Sequence, residues 1–182
     1  VLSPINPDSW AYNKIVKSYQ KDMEKGVELL LRSVPQQPLV FELTTTAAYQ
    51  TQAEKMKEEW EELGAAASSA CKVSKAVANK ELCGNFAIQV NLRIASAPDL
   101  SNFQVAVLGQ QIPPDPDQYY LWHSTQNTNF MQYKNPRIDK LLEDGRKTVN
   151  QEERRQIYQD FQQFLVEDSP AIFLQHLVTY KI

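Results

Sequence analysis

Three prolines within four positions, Pro113, Pro114 and Pro116, follow an apolar run at residues 103–108. A central strand cannot continue through such residues, because proline has no backbone N–H to donate to a sheet. We therefore predict a buried strand over 103–108 that ends in a rigid loop at residues 109–117. Tyr119, Tyr120, Trp122 and His123 follow this loop at once.

Helical and strand patterns alternate along the rest of the chain. Apolar residues at spacings of three to four predict helices over 19–34 and 53–63, with Gly64 as the C-terminal stop of the second. The Glu- and Lys-rich stretch 54–62 on this second helix is interpreted as a solvated face. β-branched and aromatic runs predict strands over 39–45, 85–95 and 171–182. The alanine- and serine-rich part before residue 85 fits a strand, a loop or a short helix equally well.

Two asparagines predict the starts of the late helices. Asn135 precedes Pro136, which suits an N-cap followed by proline at the first helical position. Asn150 precedes Glu153 by three residues, as in a capping box, and Ile157, Phe161, Phe164 and Leu165 would form the buried face of that helix. The order of elements predicts one α/β domain over residues 1–182, with a mixed sheet flanked by helices.

Composition excludes several classes of protein. The 182 residues carry a net charge of −3, and basic residues form no stripe with interleaved aromatics, so we expect no nucleic-acid partner. No apolar run is long enough to span a bilayer. The first residues lack an initiator Met and the pattern of a signal peptide, so we expect the chain to be part of a larger protein or a processed product.

The chain has two cysteines, Cys71 and Cys83. In an exported domain such a pair can close a short loop as a disulfide. Their spacing matches no metal-binding motif, and no histidine lies near them in the sequence. The sequence leaves a disulfide and two reduced thiols as equal alternatives.

Four segments together resemble the extracellular solute-binding protein family 5, the oligopeptide-, dipeptide- and nickel-binding group. The most specific lies at residues 128–142, TNFMQYKNPRIDKLL. The others are the helix at 151–168 with the following SPAI, the Asp-Pro stretch at 111–122, and the early helix ending in Glu28-Leu29-Leu30. The resemblance covers most of the chain and is weakest over 65–97.

The resemblance implies the C-terminal lobe of a periplasmic-binding-protein type II-like fold. The intact protein would then have an N-terminal lobe as well, and would bind a small solute, such as a peptide, between the two lobes. It would deliver the solute to the membrane permease of an ABC importer. We expect an extracellular or periplasmic protein, membrane-anchored at full length, with no cofactor, no metal and no enzymatic activity.

The loop at 109–117 and the aromatics after it are the predicted ligand site. In open α/β sheets, ligands bind outside the carboxyl ends of the strands, and small-solute clefts combine aromatic faces with a few oriented polar groups. We predict ligand contacts from Gln111, Asp117, Tyr119, Trp122 and Asn129. The alternative is that Asp-Pro-Asp is only a turn and the aromatics are core, and Asp115 itself is interpreted as a turn former.

Peptide-binding members of the resembled family carry an aspartate shortly before the acidic-Pro pair, where it holds the amino terminus of the ligand. This chain has no acid at residues 109–114. Two alternatives follow, a solute other than an ordinary oligopeptide or an amine held by Asp117 instead.

Two rival functions remain. One is a hydrolase using Asp115, Asp117 and His123, against which the sequence shows no motif of an activated nucleophile. The other is a protein-interaction or sensory module with the same lobe. The two histidines, His123 and His176, lie far apart in the sequence, and we interpret both as structural.

Overall fold

A computed structural model of the chain describes residues 3–75 and 77–176. The chain divides into two compact units, one of Gln20–Gln110 and the other of Val1–Tyr19 with Gln111–Ile182. We call them the sheet unit and the helical unit. The single domain over residues 1–182 stays a prediction. None of the helices in the described ranges has the length and apolar character that crossing a bilayer requires.

The sheet unit contains three parallel strands and two helices. In chain order it contains α1 (Met23–Ser33), β1 (Leu39–Thr45), a 3-10 turn (Ala47–Tyr49), α2 (Gln50–Val73), a second 3-10 segment (Lys80–Phe86), β2 (Ile88–Ile94) and β3 (Val105–Val107). The strand order is β2-β1-β3. Leu39 pairs with Ile88 and Leu43 with Val105. The predicted α/β class is confirmed, but the described sheet is parallel rather than mixed as predicted, since all three described strands pair in parallel.

One apolar side of the sheet packs against α2. Leu43, Val90 and Val107 come from the three strands, and together with Ala53 of α2 they form a buried cluster. The ring of Phe41 meets the ring of Trp60 edge to face at 5.4 Å. The period-2 pattern of the strands and the 3.6-residue pattern of α2 therefore bury a common surface.

The prediction that Gly64 ends the second helix is wrong. The helix continues nine residues further, to Val73, and includes the alanine- and serine-rich stretch left open by the sequence. Gly64 is buried, and a Cβ there would lie 2.5 Å from the backbone N of Ile88. Glycine is needed here because α2 approaches β2 closely, not because the helix stops.

We expect Gly64→Ala to lower the free energy of unfolding by up to about 2 kcal/mol. The clash with the Ile88 backbone costs about 1–3 kcal/mol, and the better helix propensity of alanine returns part of it. Gly84→Ala is the control, because nothing lies within 4 Å of a Cβ at that position. Denaturant unfolding measures both. Equal stability of the two variants would contradict the close approach of α2 to β2.

The charged stretch at 54–62 is a solvated face at most of its charged positions, as predicted, but Lys57 and Glu61 bind β2. Lys57 pairs with Glu61 at 2.7 Å. The Glu61 carboxylate accepts a hydrogen bond from the N–H of Val90 at 3.0 Å, and the Lys57 ammonium donates to the Val90 carbonyl at 2.6 Å. The two side chains therefore provide hydrogen-bond partners for the N–H and the carbonyl of Val90 on the outer edge of β2.

The cysteines form a disulfide in the sheet unit, which decides between the two alternatives. Cys71 near the end of α2 is bonded to Cys83 of the second 3-10 segment, with 5.5 Å between the Cα atoms. Both residues are buried. Within the loop that they close, the Lys80 ammonium donates to the carbonyls of Cys71 at 2.9 Å and Val77 at 2.7 Å, and also to that of Ser74.

The helical unit contains a four-residue helical turn and two longer helices. These are α3 (Tyr119–Trp122), α4 (Pro136–Lys147) and α5 (Gln151–Asp168). Both predicted N-caps are confirmed. The Asn135 side chain accepts from the N–H groups of Arg137 and Ile138. The Asn150 side chain accepts from those of Glu152 and Glu153.

The core of the helical unit lies between α3, α4 and α5. Its buried members are Ile5, Ala11, Leu121, Trp122, Ile138, Leu142, Tyr158, Phe161 and Leu165. Phe161 and Leu165 of α5 are buried as predicted, but Ile157 and Phe164 are only half-buried and Tyr158 is buried instead of Ile157.

The N-terminal segment of the helical unit is held against α5 by a buried glutamine. Gln162 is fully buried, and its Oε1 accepts from Ser3 Oγ at 2.9 Å and from the N–H of Asn13 at 3.0 Å. Its Nε2 donates to the carbonyl of Ala11 at 2.8 Å. One side chain therefore fixes three points of an irregular segment.

The last predicted strand, 171–182, is not formed at residues 171–176, which have no regular secondary structure. The His176 ring nitrogen Nε2 instead lies 3.0 Å from the carbonyl oxygen of Ser3. Residues 177–182 lie outside the described residues.

Candidate functional site

The predicted site begins where the chain leaves β3. Leu108, Gly109 and Gln110 follow the strand in the sheet unit, and a Cβ at Gly109 would overlap the hydroxyl of Tyr49. The helical unit resumes at Gln111. We call residues 111–118 the proline loop. Pro113 and Pro114 are exposed, whereas Pro116 is buried.

Asp115 of the proline loop is bound by an arginine of α5. The Arg154 guanidinium donates two hydrogen bonds to the Asp115 carboxylate, at 2.9 and 2.7 Å. This bidentate pair holds the pKa of Asp115 below its ordinary value and raises that of Arg154. Arg154 Nε also donates to the carbonyl of Gly145 at 2.8 Å, which joins the loop to the end of α4. The pair gives Asp115 a structural partner within the helical unit.

We expect Asp115→Asn to destabilise the chain at neutral pH by about 1 kcal/mol or less, because the carboxylate is half exposed and screened. Since the folded pKa of Asp115 is lowered, its contribution is present above the unfolded pKa of about 4 and is lost as the pH falls through the folded value. Unfolding at pH 7 and at pH 3 measures the difference, which should shrink at pH 3.

The control for that prediction is Asp160→Asn on the same helix as Arg154. Asp160 is exposed, and the described residues show no ion pair for it. A stability loss in Asp115→Asn that matches the control at pH 7 would contradict a stabilising pair.

Asp117 is bound by two groups of the helical unit. Its Oδ1 accepts from the N–H of Tyr119 at 2.9 Å, and its Oδ2 accepts from Arg146 Nε at 2.7 Å. The Arg146 guanidinium carbon also lies 4.1 Å from the centre of the Tyr119 ring, a cation–π geometry. The N–H of Asp117 in turn donates to Asp115 Oδ1 at 2.9 Å. The proline loop is therefore fixed by arginines from α4 and α5 and by its own carboxylates.

The ring of Tyr119 also stacks on His123, with centroids 4.1 Å apart. His123 is buried, and its Nδ1 lies 2.9 Å from Thr125 Oγ1 and accepts from the N–H of Thr125 at 3.2 Å. The Nε2 atom faces α4, 3.5 Å from Glu143 Oε1 and 4.0 Å from Asp139 Oδ1. Nδ1 therefore acts as an acceptor, and Nε2 is buried without a hydrogen-bond partner among the described residues.

No group of three or more His, Cys, Asp and Glu side chains within 3–75 and 77–176 is arranged to hold a metal ion. Asp139, beside His123, uses both carboxylate oxygens for Ser124, accepting from its N–H at 2.8 Å and its hydroxyl at 2.6 Å. The histidine therefore lies among groups that already fix the turn after α3.

Three of the five predicted site residues lie on the proline loop or at the start of α3. Gln111 is exposed, and its carbonyl accepts from the Tyr120 hydroxyl at 3.3 Å. Asp117 and Tyr119 have the partners given above. Ligand contact by these residues stays a prediction.

The other two predicted residues, Trp122 and Asn129, are nearly fully buried. Trp122 Nε1 donates to Gln118 Oε1 at 3.0 Å, and its ring meets Phe173 edge to face. The Asn129 side chain donates to the carbonyl of Tyr133 at 2.7 Å and accepts from its N–H at 3.2 Å. Their polar groups therefore serve the core and a loop of the helical unit, and their contact with a ligand also stays a prediction.

Sequence reasoning missed Arg146 and Arg154 as residues of the site. Both lie among acidic residues on helices, where ion pairs along the helix are the default interpretation. The only feature of the sequence that pointed to them is that they lie on either side of the short connection between α4 and α5.

An open groove of about 490 Å³ lies elsewhere in the helical unit. Its lining includes Trp10, Tyr12, Ile15, Arg155 and Gln159. None of the five predicted site residues lines it.

No family model matches the chain. Among curated proteins, the oligopeptide-binding protein AppA of Bacillus subtilis is 32% identical over 78 residues, which are 41% of this chain and 14% of AppA.

Solved structures match over most of the chain. NikZ from Campylobacter jejuni, in complex with Ni(L-His), gives a TM-score of 0.70 at 24% identity over 91% of this chain. The ABC transporter-associated periplasmic binding protein DppA from Helicobacter pylori, in complex with the peptide STSA, gives 0.67 at 21% identity over 93%. The chain spans only 34% of the NikZ chain and 32% of the DppA chain. The chain therefore has the α/β fold of part of the periplasmic binding proteins, and its predicted resemblance to the family 5 solute-binding proteins is confirmed.

Proposed function

We propose that this chain is part of the C-terminal lobe of a solute-binding protein that serves an ABC importer and takes peptides or related small solutes. The observation that carries the proposal is the 32% identity to an oligopeptide-binding protein, supported by fold likeness to proteins solved with a peptide and with Ni(L-His). The role is binding and delivery, without catalysis.

In this proposal the intact protein has a second lobe, and the two lobes close on the solute by hinge motion. The closed form docks on a membrane permease, and the protein works outside the cytoplasm, held at the membrane by an anchor. The proline loop contributes a preformed surface to the lobe. Because Pro113, Pro114 and Pro116 restrict its backbone, little conformational entropy is lost when a solute binds.

The proline loop also offers suitable polar groups. Proline nitrogens carry no hydrogen, so the loop is richer in carbonyl acceptors than in N–H donors. Gln111 at its start is exposed. We assign solute contact first to Gln111, Asp117 and Tyr119, with Trp122 and Asn129 as supporting residues.

The test is calorimetric titration of the complete protein with pooled di- to pentapeptides, nickel chelates and short oligosaccharides, with the 182-residue chain as the comparison. We expect saturable, micromolar binding by the complete protein, about −8 kcal/mol. The chain alone should bind in the millimolar range, since contacts from the other lobe are missing. A folded complete protein that binds none of the pools would overturn the proposal and favour an interaction module.

A further inference from the structure

Both carboxylates of the proline loop are already bound by arginines of the same chain. Asp115 and Asp117 are the only acidic residues between Gly109 and Asn129. Arg154 holds the first through two hydrogen bonds, and Arg146 holds the second. Two carboxylates and two guanidinium groups balance each other, so the loop with its partners is neutral.

We propose that the two carboxylates of the proline loop bind no free amino group of a solute, and that Arg146 is the residue that keeps Asp117 from doing so. The inference rests on the proposed function and narrows its solute class. The protein should accept solutes whose amino terminus is blocked or absent as readily as solutes with a free terminus. Under this proposal, Asp117 does not take the place of the amine-binding aspartate of the peptide-binding proteins.

The arginine has an advantage over any solute amine. Arg146 is part of the same chain, so its effective concentration at Asp117 greatly exceeds that of a dissolved ligand. It has a second attachment as well, because its guanidinium lies over the Tyr119 ring. The other carboxylate oxygen is already bonded to the N–H of Tyr119. A solute ammonium would have to displace these contacts and approach the positive charge of Arg146.

The first experiment compares a peptide that the complete protein binds with its N-acetylated form. We expect the two dissociation constants to agree within about threefold in the wild-type protein, since a tenfold difference would correspond to a real ammonium contact. In Arg146→Met the methionine keeps an apolar chain over Tyr119 and releases Asp117. The free peptide should then bind at least about tenfold more tightly than the acetylated one.

Lys140→Met is the matched control for this substitution. It removes a cation from the same helix, and Lys140 pairs with Asp144 at 2.5 Å rather than with the proline loop. The ratio of the two dissociation constants should stay at its wild-type value. A tenfold preference for the free peptide in the wild type overturns the proposal. An unchanged ratio in Arg146→Met overturns the role of Arg146.

A second experiment needs no known solute and separates this inference from the proposed function. The complete protein, labelled at aspartate with ¹³C, is titrated with ethylammonium while the Asp117 signal is followed by NMR. We expect a saturable shift in Arg146→Met and none in the wild type. A saturable Asp117 shift in the wild type overturns the inference, whether or not any peptide binds. A saturable shift in Arg146→Met alone supports the inference, even if the complete protein binds no peptide.

Discussion

Replacing Gln162 with leucine is expected to lower the free energy of unfolding by about 3 kcal/mol. The side chain is fully buried and holds Ser3, Asn13 and Ala11 through both of its polar atoms. Leucine has a similar volume but would leave the buried N–H of Asn13 and carbonyl of Ala11 without partners. Each orphaned buried group costs about 1–3 kcal/mol. Denaturant unfolding at neutral pH measures the loss.

Gln163→Leu is the matched control for this substitution. Gln163 is the next residue of α5, is exposed, and donates only to Glu167 at 3.1 Å. We expect it to change stability by about 0.5 kcal/mol or less, as surface substitutions usually do. If both variants unfold at the same denaturant concentration, residues 3–13 are not held against α5 in the way described.

The second large effect is expected from the disulfide. The double substitution Cys71→Ala with Cys83→Ala should cost about 3 kcal/mol, which is the chain-entropy value for a closed loop of about 13 residues. The sequence separation of the two cysteines is 12. Unfolding in the presence and absence of a reductant measures the effect, and the reductant should weaken the wild type toward the variant.

The reductant should leave the double variant unchanged, because it has no disulfide to lose. If the reduced wild type keeps its full stability, the bond is not needed to order the segment between α2 and β2. Lys80→Met tests the rest of that segment, since its ammonium satisfies carbonyls inside the same loop.

The features that the sequence predicted well depend on neighbouring residues. Asn135 with Pro136 and Asn150 with Glu153 carry the information for a helix start within four positions, and both caps are found. The α/β class follows from the same kind of local pattern. The strand predicted over 85–95 is found as Ile88–Ile94 for this reason.

The features that it did not predict depend on residues that are distant in sequence. Gly64 has the appearance of a helix stop, and only the position of Ile88 shows that it permits a close approach. Cysteine spacing cannot decide a disulfide, because the Cα separation of Cys71 and Cys83 is set by the fold.

The candidate site shows the same division. The sequence predicts its location at the proline loop from neighbouring residues. The arginines that neutralise the loop come from α4 and α5, 29 and 39 residues further along the chain. Nothing local distinguishes Arg146 from other basic residues on helix surfaces. A prediction of specificity from the acids alone would therefore have chosen Asp117 as an amine ligand.

The side chains of Lys57 and Glu61 give β2 a protected edge. An exposed strand edge is a template on which another chain can add a strand, which leads to aggregation. At Val90 both main-chain groups on the outer side are already bonded to α2, so an incoming strand would have to break both bonds and a charge pair. Self-association through this edge is therefore disfavoured.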